Sequence, residues 1–183
     1  MIATLTGTVT HKLSNSIVVE VNGIGYEVLT TVDDWGAAKQ GEVQGYHIYE
    51  QIREDAYNLF GFSDVAAKEL FVKLLSVNGV GPKVALATLS AAGVDRLSQA
   101  IASGDTSLLK GVSGVGKKTA ERIMVELAGK VTTVSAPIHD ETYQALIGLG
   151  YSNQQAADAI ANLPTDVTDV GERVKSALKG IGR

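Results

Sequence analysis

Val77-Asn78-Gly79-Val80-Gly81-Pro82-Lys83-Val84-Ala85 and Val112-Ser113-Gly114-Val115-Gly116-Lys117-Lys118-Thr119-Ala120 are two copies of one pattern, set 35 residues apart. Each copy follows a helical stretch and opens another helix, so the unit is helix, tight hairpin, helix. Paired glycines permit positive φ and let the backbone come close to a ligand. The first amides of the second helix have no partner within it and point outward at its positive end. That arrangement holds an anion, and a phosphate fits it. Pro82 at the first helical position gives up an N–H that would be free in any case. Lys83, Lys117 and Lys118 add charge beside the amides, and Val80 and Val115 are expected to plug back into a core. A single Gly-x-Gly is commonly no more than a capping turn. Two copies, each with lysine within two residues of its second glycine, point instead to a grip on a nucleic-acid backbone. Such a grip responds to shape and salt and carries no base information.

The charge distribution locates the same surface. The whole chain of 183 residues is 45% apolar with a formal net charge of −4, which at first argues against a polyanionic partner. Residues 1–63, however, hold 3 Lys+Arg against 8 Asp+Glu (net −5), residues 64–131 hold 9 against 6 (+3), and residues 132–183 hold 4 against 6 (−2). The positive charge is confined to the segment that carries both hairpins. A solvated helical face would show a similar excess, so charge alone decides nothing. With no cysteine, disulfides and thiolate metal sites are excluded. No stretch resembles a secretory leader or an apolar run of about 18 residues, so a soluble, cytoplasmic protein without membrane contact is expected.

On the N-terminal side of the hairpins the period is that of strands. Ile17–Val21, Tyr26–Leu29, Tyr46–Tyr49 and Tyr57–Phe60 are rich in β-branched and aromatic residues, with turn signals at Asn22-Gly23 and Gly41. About five short strands in roughly 60 residues suggest a small closed barrel. After Ser63-Asp64, a helix N-cap signal, Ala67, Leu70, Phe71, Leu74 and Leu75 recur at helical spacing, and helix is expected to about Lys130. Residues 131–138, polar and β-branched with Pro137, read as a linker. Three short helices follow, near Asp140–Leu149, Asn153–Leu163 and Val167–Lys179. The expected organisation is α+β and multidomain: a barrel at 1–63, an all-α hairpin domain at 64–130, a linker at 131–138 and a small helical domain at 139–183.

Gly111-Val-Ser-Gly-Val-Gly116-Lys117-Lys118 nearly satisfies the nucleotide-binding pattern G-x-x-x-x-G-K-[ST], but Lys118 stands where a hydroxyl should reach Mg²⁺. Ser107–Lys110 before it reads as helical, where a buried strand is required. An ATPase is therefore not expected.

The arrangement resembles the RuvA family, the Holliday-junction-binding subunits of the bacterial branch-migration complex. The resemblance spans essentially the whole chain. Its most specific stretches are Ile52-Arg53-Glu54-Asp55-Ala56, Asn78-Gly79-Val80-Gly81-Pro82-Lys83 and Gly114-Val115-Gly116-Lys117-Lys118-Thr119-Ala120-Glu121-Arg122. Met1-Ile2 and Val21–Val28 are also similar. It implies an OB-fold barrel, tandem helix-hairpin-helix motifs and a small, mobile, UBA-like three-helix domain. It further implies a homotetramer on four-way junction DNA, in some cases doubled to an octamer. The hexameric RuvB ATPase would be the motor, and the RuvC resolvase a further partner in the complex. Asn78, Gly79, Val80, Gly81 and Lys83 would hold DNA at the first hairpin; Gly114, Val115, Gly116, Lys117, Lys118 and Arg122 would do so at the second.

The resemblance also assigns Glu54 and Asp55. Read alone, this pair is a solvated loop tip; in the family it is an acidic pin, eight carboxylates gathered at the tetramer centre where strands exchange. As Mg²⁺ ligands the pair is poorly supported, since no further acidic residue or histidine clusters with it. Leu146, Leu149, Tyr151 and Leu178 match the family's apolar surface for RuvB, yet a domain so small needs such residues in its own core. The linker is short beside those of many family members. His11, His47 and His139 form no constellation, and neither a catalytic residue, a metal nor a cofactor is expected. The rivals that remain are a repair nuclease or glycosylase subunit, for which Glu121 and Glu126 are placed better for salt bridges, and a generic protein scaffold.

Overall fold

The computed structural model describes residues 1–131, 141–151, 155–156, 159–160, 163 and 169–181. The chain divides into two compact units, Met1–Val131 and Thr132–Arg183.

The first unit begins with five strands: β1 (Thr4–Lys12), β2 (Ser16–Val21), β3 (Ile24–Thr30), β4 (Val43–Ile52) and β5 (Tyr57–Phe62). They close into a barrel in the order β1-β2-β3-β5-β4, antiparallel except for the β3–β5 pair. Closure depends on β1, whose first half pairs with β4 and whose second half pairs with β2. A register shift between Val9 and His11 supplies the bend, as bulges do in small barrels. Asn22 (φ 51°) and Gly23 (φ 80°) form the β2–β3 turn with two positive φ values, the geometry that matches the strand twist. Inside lie Leu5, Val9, Ile17, Val19, Val28, Tyr46, Ile48 and Leu59. Burial, and secondarily the nearby Asp34 carboxylate, pushes the Tyr46 hydroxyl above its ordinary pKa.

A short helix that the strand pattern did not announce, α1 (Val32–Ala37), links β3 to β4. The Thr31 hydroxyl caps it at Asp34 N–H, 3.1 Å away, and Asp34 in turn accepts from the backbone N–H and hydroxyl of Ser63. This buried carboxylate ties the strand-to-helix transition to the barrel.

Helices α2 (Val65–Leu75), α3 (Pro82–Ala92), α4 (Val94–Ser103) and α5 (Lys117–Leu127) follow. Asp64 caps α2 by accepting from Ala66 N–H at 2.9 Å. The expected face is buried at Ala67, Leu70, Phe71 and Leu74, with Leu75 at its rim. Ser107–Lys110 is mostly a single 3-10 turn (Thr106–Leu109) rather than an α-helix. Barrel and helices share a core: Phe71 of α2 lies 5.3 Å from Phe60, 5.0 Å from Phe62 and 5.3 Å from Tyr49, ring centre to ring centre. Val131 is buried in the same cluster.

The second unit contains α6 (Glu141–Gly148) and α7 (Val170–Ile181). Its core includes Tyr143, Leu146, Ala156, Ala159 and Ala177. The helix expected near Asn153–Leu163 falls largely outside the described residues, as do all but the first residue of the linker, His139 and Asp140.

Because Phe71 joins both layers, Phe71→Ala should destabilise the first unit as a whole, by about 3–5 kcal/mol. Denaturation followed by Trp35 fluorescence, on the barrel side, and by helical circular dichroism should shift together. A shift in the helical signal alone would contradict the shared core.

Candidate nucleic-acid interface

The two hairpins are built alike, bond for bond. In the first, Val77 N–H donates to Leu74 O and Val80 N–H to Val77 O, both at 3.1 Å. In the second, Val112 N–H donates to Leu109 O at 3.3 Å and Val115 N–H to Val112 O at 3.0 Å. Gly79 (φ 90°) and Gly114 (φ 84°) occupy the third position of each turn, where a type II geometry requires positive φ. The second glycine of each pair does something different from what the pattern suggested. Gly81 (φ −92°, ψ 172°) and Gly116 (φ −82°, ψ 170°) are extended and serve as N-caps of α3 and α5. Neither helix start has a side-chain cap hydrogen bond, and a Cβ placed on either glycine would meet nothing within 4 Å. Glycine here therefore leaves bare backbone in front of uncapped amides, rather than providing unusual φ.

Asn78, Gly79, Lys83, Gly114, Gly116, Lys117, Lys118 and Arg122 are exposed, and Gly81 is half-buried. Lys118 and Arg122 stand one helical turn apart on α5, so their charges share a face. Val80 is buried and Val115 packs half-buried against the same core, which anchors both turns from beneath. A contact between the hairpins was not legible in the repeat: a Cβ on Gly114 would lie 2.8 Å from Val84 Cγ2, so the second turn abuts the first hairpin's helix. Before the second hairpin, Asp105 accepts from the backbone N–H (2.8 Å) and hydroxyl (2.9 Å) of Ser107, which in that order hold its carboxyl below the ordinary range. The stability these two bonds add is present above Asp105's unfolded pKa and is lost as the pH falls through the lowered value.

Glu54 and Asp55 form the exposed tip of the β4–β5 hairpin, closed by Arg53 N–H donating to Ala56 O at 2.8 Å. At its root the Tyr57 hydroxyl donates to Glu50, and Ile2 N–H donates to the same carboxylate at 3.2 Å. These bonds, Tyr57 first, lower the Glu50 pKa, and the Tyr57 pKa rises in return. Glu50 is a carboxylate near the tip that no motif in the sequence singles out. In the second unit Leu146 is fully enclosed, Leu149 is 60% exposed, and Tyr151 and Leu178 pack half-buried on the core. Among the described residues no group of three or more His, Cys, Asp or Glu is placed to hold a metal, and no helix is long and apolar enough to cross a membrane.

The two turn glycines are expected to differ in tolerance. Gly79→Ala meets only the cost of positive φ, about 1–2 kcal/mol, whereas Gly114→Ala also collides with Val84. Urea denaturation should show the larger loss at Gly114, with part of it recovered by adding Val84→Ala. Equal losses, or no recovery, would contradict the packing of one hairpin on the other.

Comparison with known proteins finds similarity along nearly the whole chain. Family models match three successive parts: RuvA N terminal domain at residues 1–61, SAM-like helix-hairpin-helix tandem at 71–128, and RuvA, C-terminal domain at 137–182. Similar curated proteins include the Holliday junction branch migration complex subunit RuvA of Neisseria meningitidis serogroup C (strain 053442), 40% identical over an alignment 193 positions long that covers 99% of each chain. The protein of the same name from Chloroflexus aggregans is 41% identical over 194, covering 100% of this chain and 99% of that one. That of Chromobacterium violaceum is 41% identical over 197, covering 99% and 98%. A closed barrel, twin hairpins and a helical C-terminal unit thus meet full-length similarity, and the chain belongs to the RuvA family.

Proposed function

We propose that this chain binds Holliday junctions by shape and charge, independently of sequence, and holds them open for branch migration in recombination and repair. The observation that carries the reading is the pair of uncapped helix starts behind Gly81 and Gly116, each with exposed lysine beside it. The names of the full-length relatives support it. The protein acts in the cytoplasm as a homotetramer, which can double into an octamer around the DNA. Two hairpins per chain give eight per tetramer, two for each arm. Gly79, Gly81, Gly114 and Gly116 bring backbone to the phosphates; Asn78, Val80 and Val115 shape the turns; Lys83, Lys117, Lys118 and Arg122 supply charge.

Residues 1–63 carry the acidic pin, residues 64–130 the grip, and residues 139–183, beyond the 131–138 linker, the contact with RuvB. The chain itself is non-catalytic, and ATP hydrolysis belongs to RuvB; RuvC joins the same complex. Leu149 is the residue best exposed for the motor contact, flanked by Tyr151 and Leu178, while Leu146 supports it from the core. Glu54 and Asp55 repel phosphates at the crossover and so keep exchanging strands apart.

Replacing Lys117 and Lys118 by Ala should weaken binding to all junction sequences alike. The slope of log affinity against log salt should fall by about one for each phosphate that is no longer neutralised. Fluorescence anisotropy across a salt series measures both, and a base-selective loss would contradict the backbone grip. Glu54→Gln with Asp55→Asn should leave junction affinity unchanged or tighter while altering branch migration by the assembled complex. Weaker junction binding would sink the repulsive pin.

A further inference from the structure

Between the acidic tip and the first hairpin lies an open cleft of about 400 Å³. Arg53 and Asp55 line it from the β4–β5 turn, and Gly81 and Lys83 from the start of α3. Gln51 and Asn58, paired across β4 and β5, line it as well. The cleft thus joins the β4–β5 tip to the first hairpin.

Its chemistry suits one kind of ligand. Arg53 and Lys83 are both exposed, and neither pairs with a carboxylate among the described residues. Two cations lining one cleft repel each other and are both stabilised by an anion between them. Arginine adds a planar fork that can hold two phosphate oxygens at once, which lysine cannot do. The amides of Gln51 and Asn58 offer further neutral donors. Asp55, in the same cleft, opposes any advance of the anion toward the tip.

We propose that this cleft seats the phosphodiester of the strand that turns from one arm into the next, and that Arg53 there selects branched over linear DNA. The inference rests on the reading in which the hairpins hold the arms and the tip marks the crossover. A linear duplex held by the hairpins continues along its helical path and sends no strand past the tip, so it leaves Arg53 unused. Lys83, which also belongs to the first hairpin, serves both kinds of DNA.

The test compares the full-length chain with its Arg53→Gln and Arg53→Lys variants, titrated against a four-way junction and a linear duplex of equal length. Arg53→Gln should weaken junction binding about tenfold, the scale of one charge-assisted contact, and change duplex binding less than about twofold. Arg53→Lys should fall between wild type and Arg53→Gln on the junction. An equal loss on both DNAs would reduce Arg53 to general surface charge, and no loss on either would leave the cleft without a role; both results overturn the proposal. Lys117→Ala in the same titration separates the two levels of the reading. If it weakens both DNAs while Arg53→Gln weakens neither, the hairpin grip stands and the cleft proposal fails. If Lys117→Ala also has no effect, both fail.

Discussion

A positive φ just ahead of an uncapped helix start is the constraint on which the hairpin geometry depends. Gly79 and Gly114 allow the chain to reverse within one turn, and Gly81 and Gly116 then open α3 and α5 with bare backbone. Most helix starts satisfy their first amides with a Ser, Thr, Asp or Asn side chain, as Asp64 does for α2. Helix α4 also starts uncapped, at Gly93, but only the starts at Gly81 and Gly116 follow the repeated turn and stand beside exposed lysines. Free amides at a positive helix end are what a phosphate would meet there, and this links the local backbone geometry to the proposed binding.

The rest of the first unit orients those two starts and opposes them with charge of the other sign. Val80 and Val115 anchor the turns, and Val84 against Gly114 sets one hairpin beside the other. The cluster of Phe60, Phe62, Phe71 and Tyr49 packs the helices onto the barrel that carries Glu54 and Asp55. Interiors this closely packed transmit position well. The spacing between the hairpin lysines and the carboxylates of the β4–β5 tip is therefore a property of the core rather than of a loop.

Much of this was legible in the residues because it is local. Asn22-Gly23 encodes its turn, Asp64 encodes its cap, and the hairpin repeat declares itself by spacing. What escaped was either short or long-range. Helix α1 is a turn and a half set among strands, although the spacing Thr31-x-x-Asp34 is a capping signal that would have marked it. Strand β1 leaves little trace in the residues, since threonine-rich alternation broken by Gly7 is a weak pattern. In the glycine pairs the sequence does not distinguish positive φ from bare backbone, because the same residue serves both needs. The contact of Gly114 with Val84 and the cleft between Arg53 and Lys83 exist only once the chain is folded. Leu146 and Leu149, three residues apart, differ completely in exposure, which composition could not resolve.

The most direct test of a junction-shaped grip is a gel-shift comparison of a four-way junction with linear duplex of the same length, using the chain alone at moderate salt without ATP. Strong preference for the junction is the expected result and makes shape, rather than charge alone, the basis of recognition. Equal affinity for the two would contradict it, leaving the hairpins as general backbone grips.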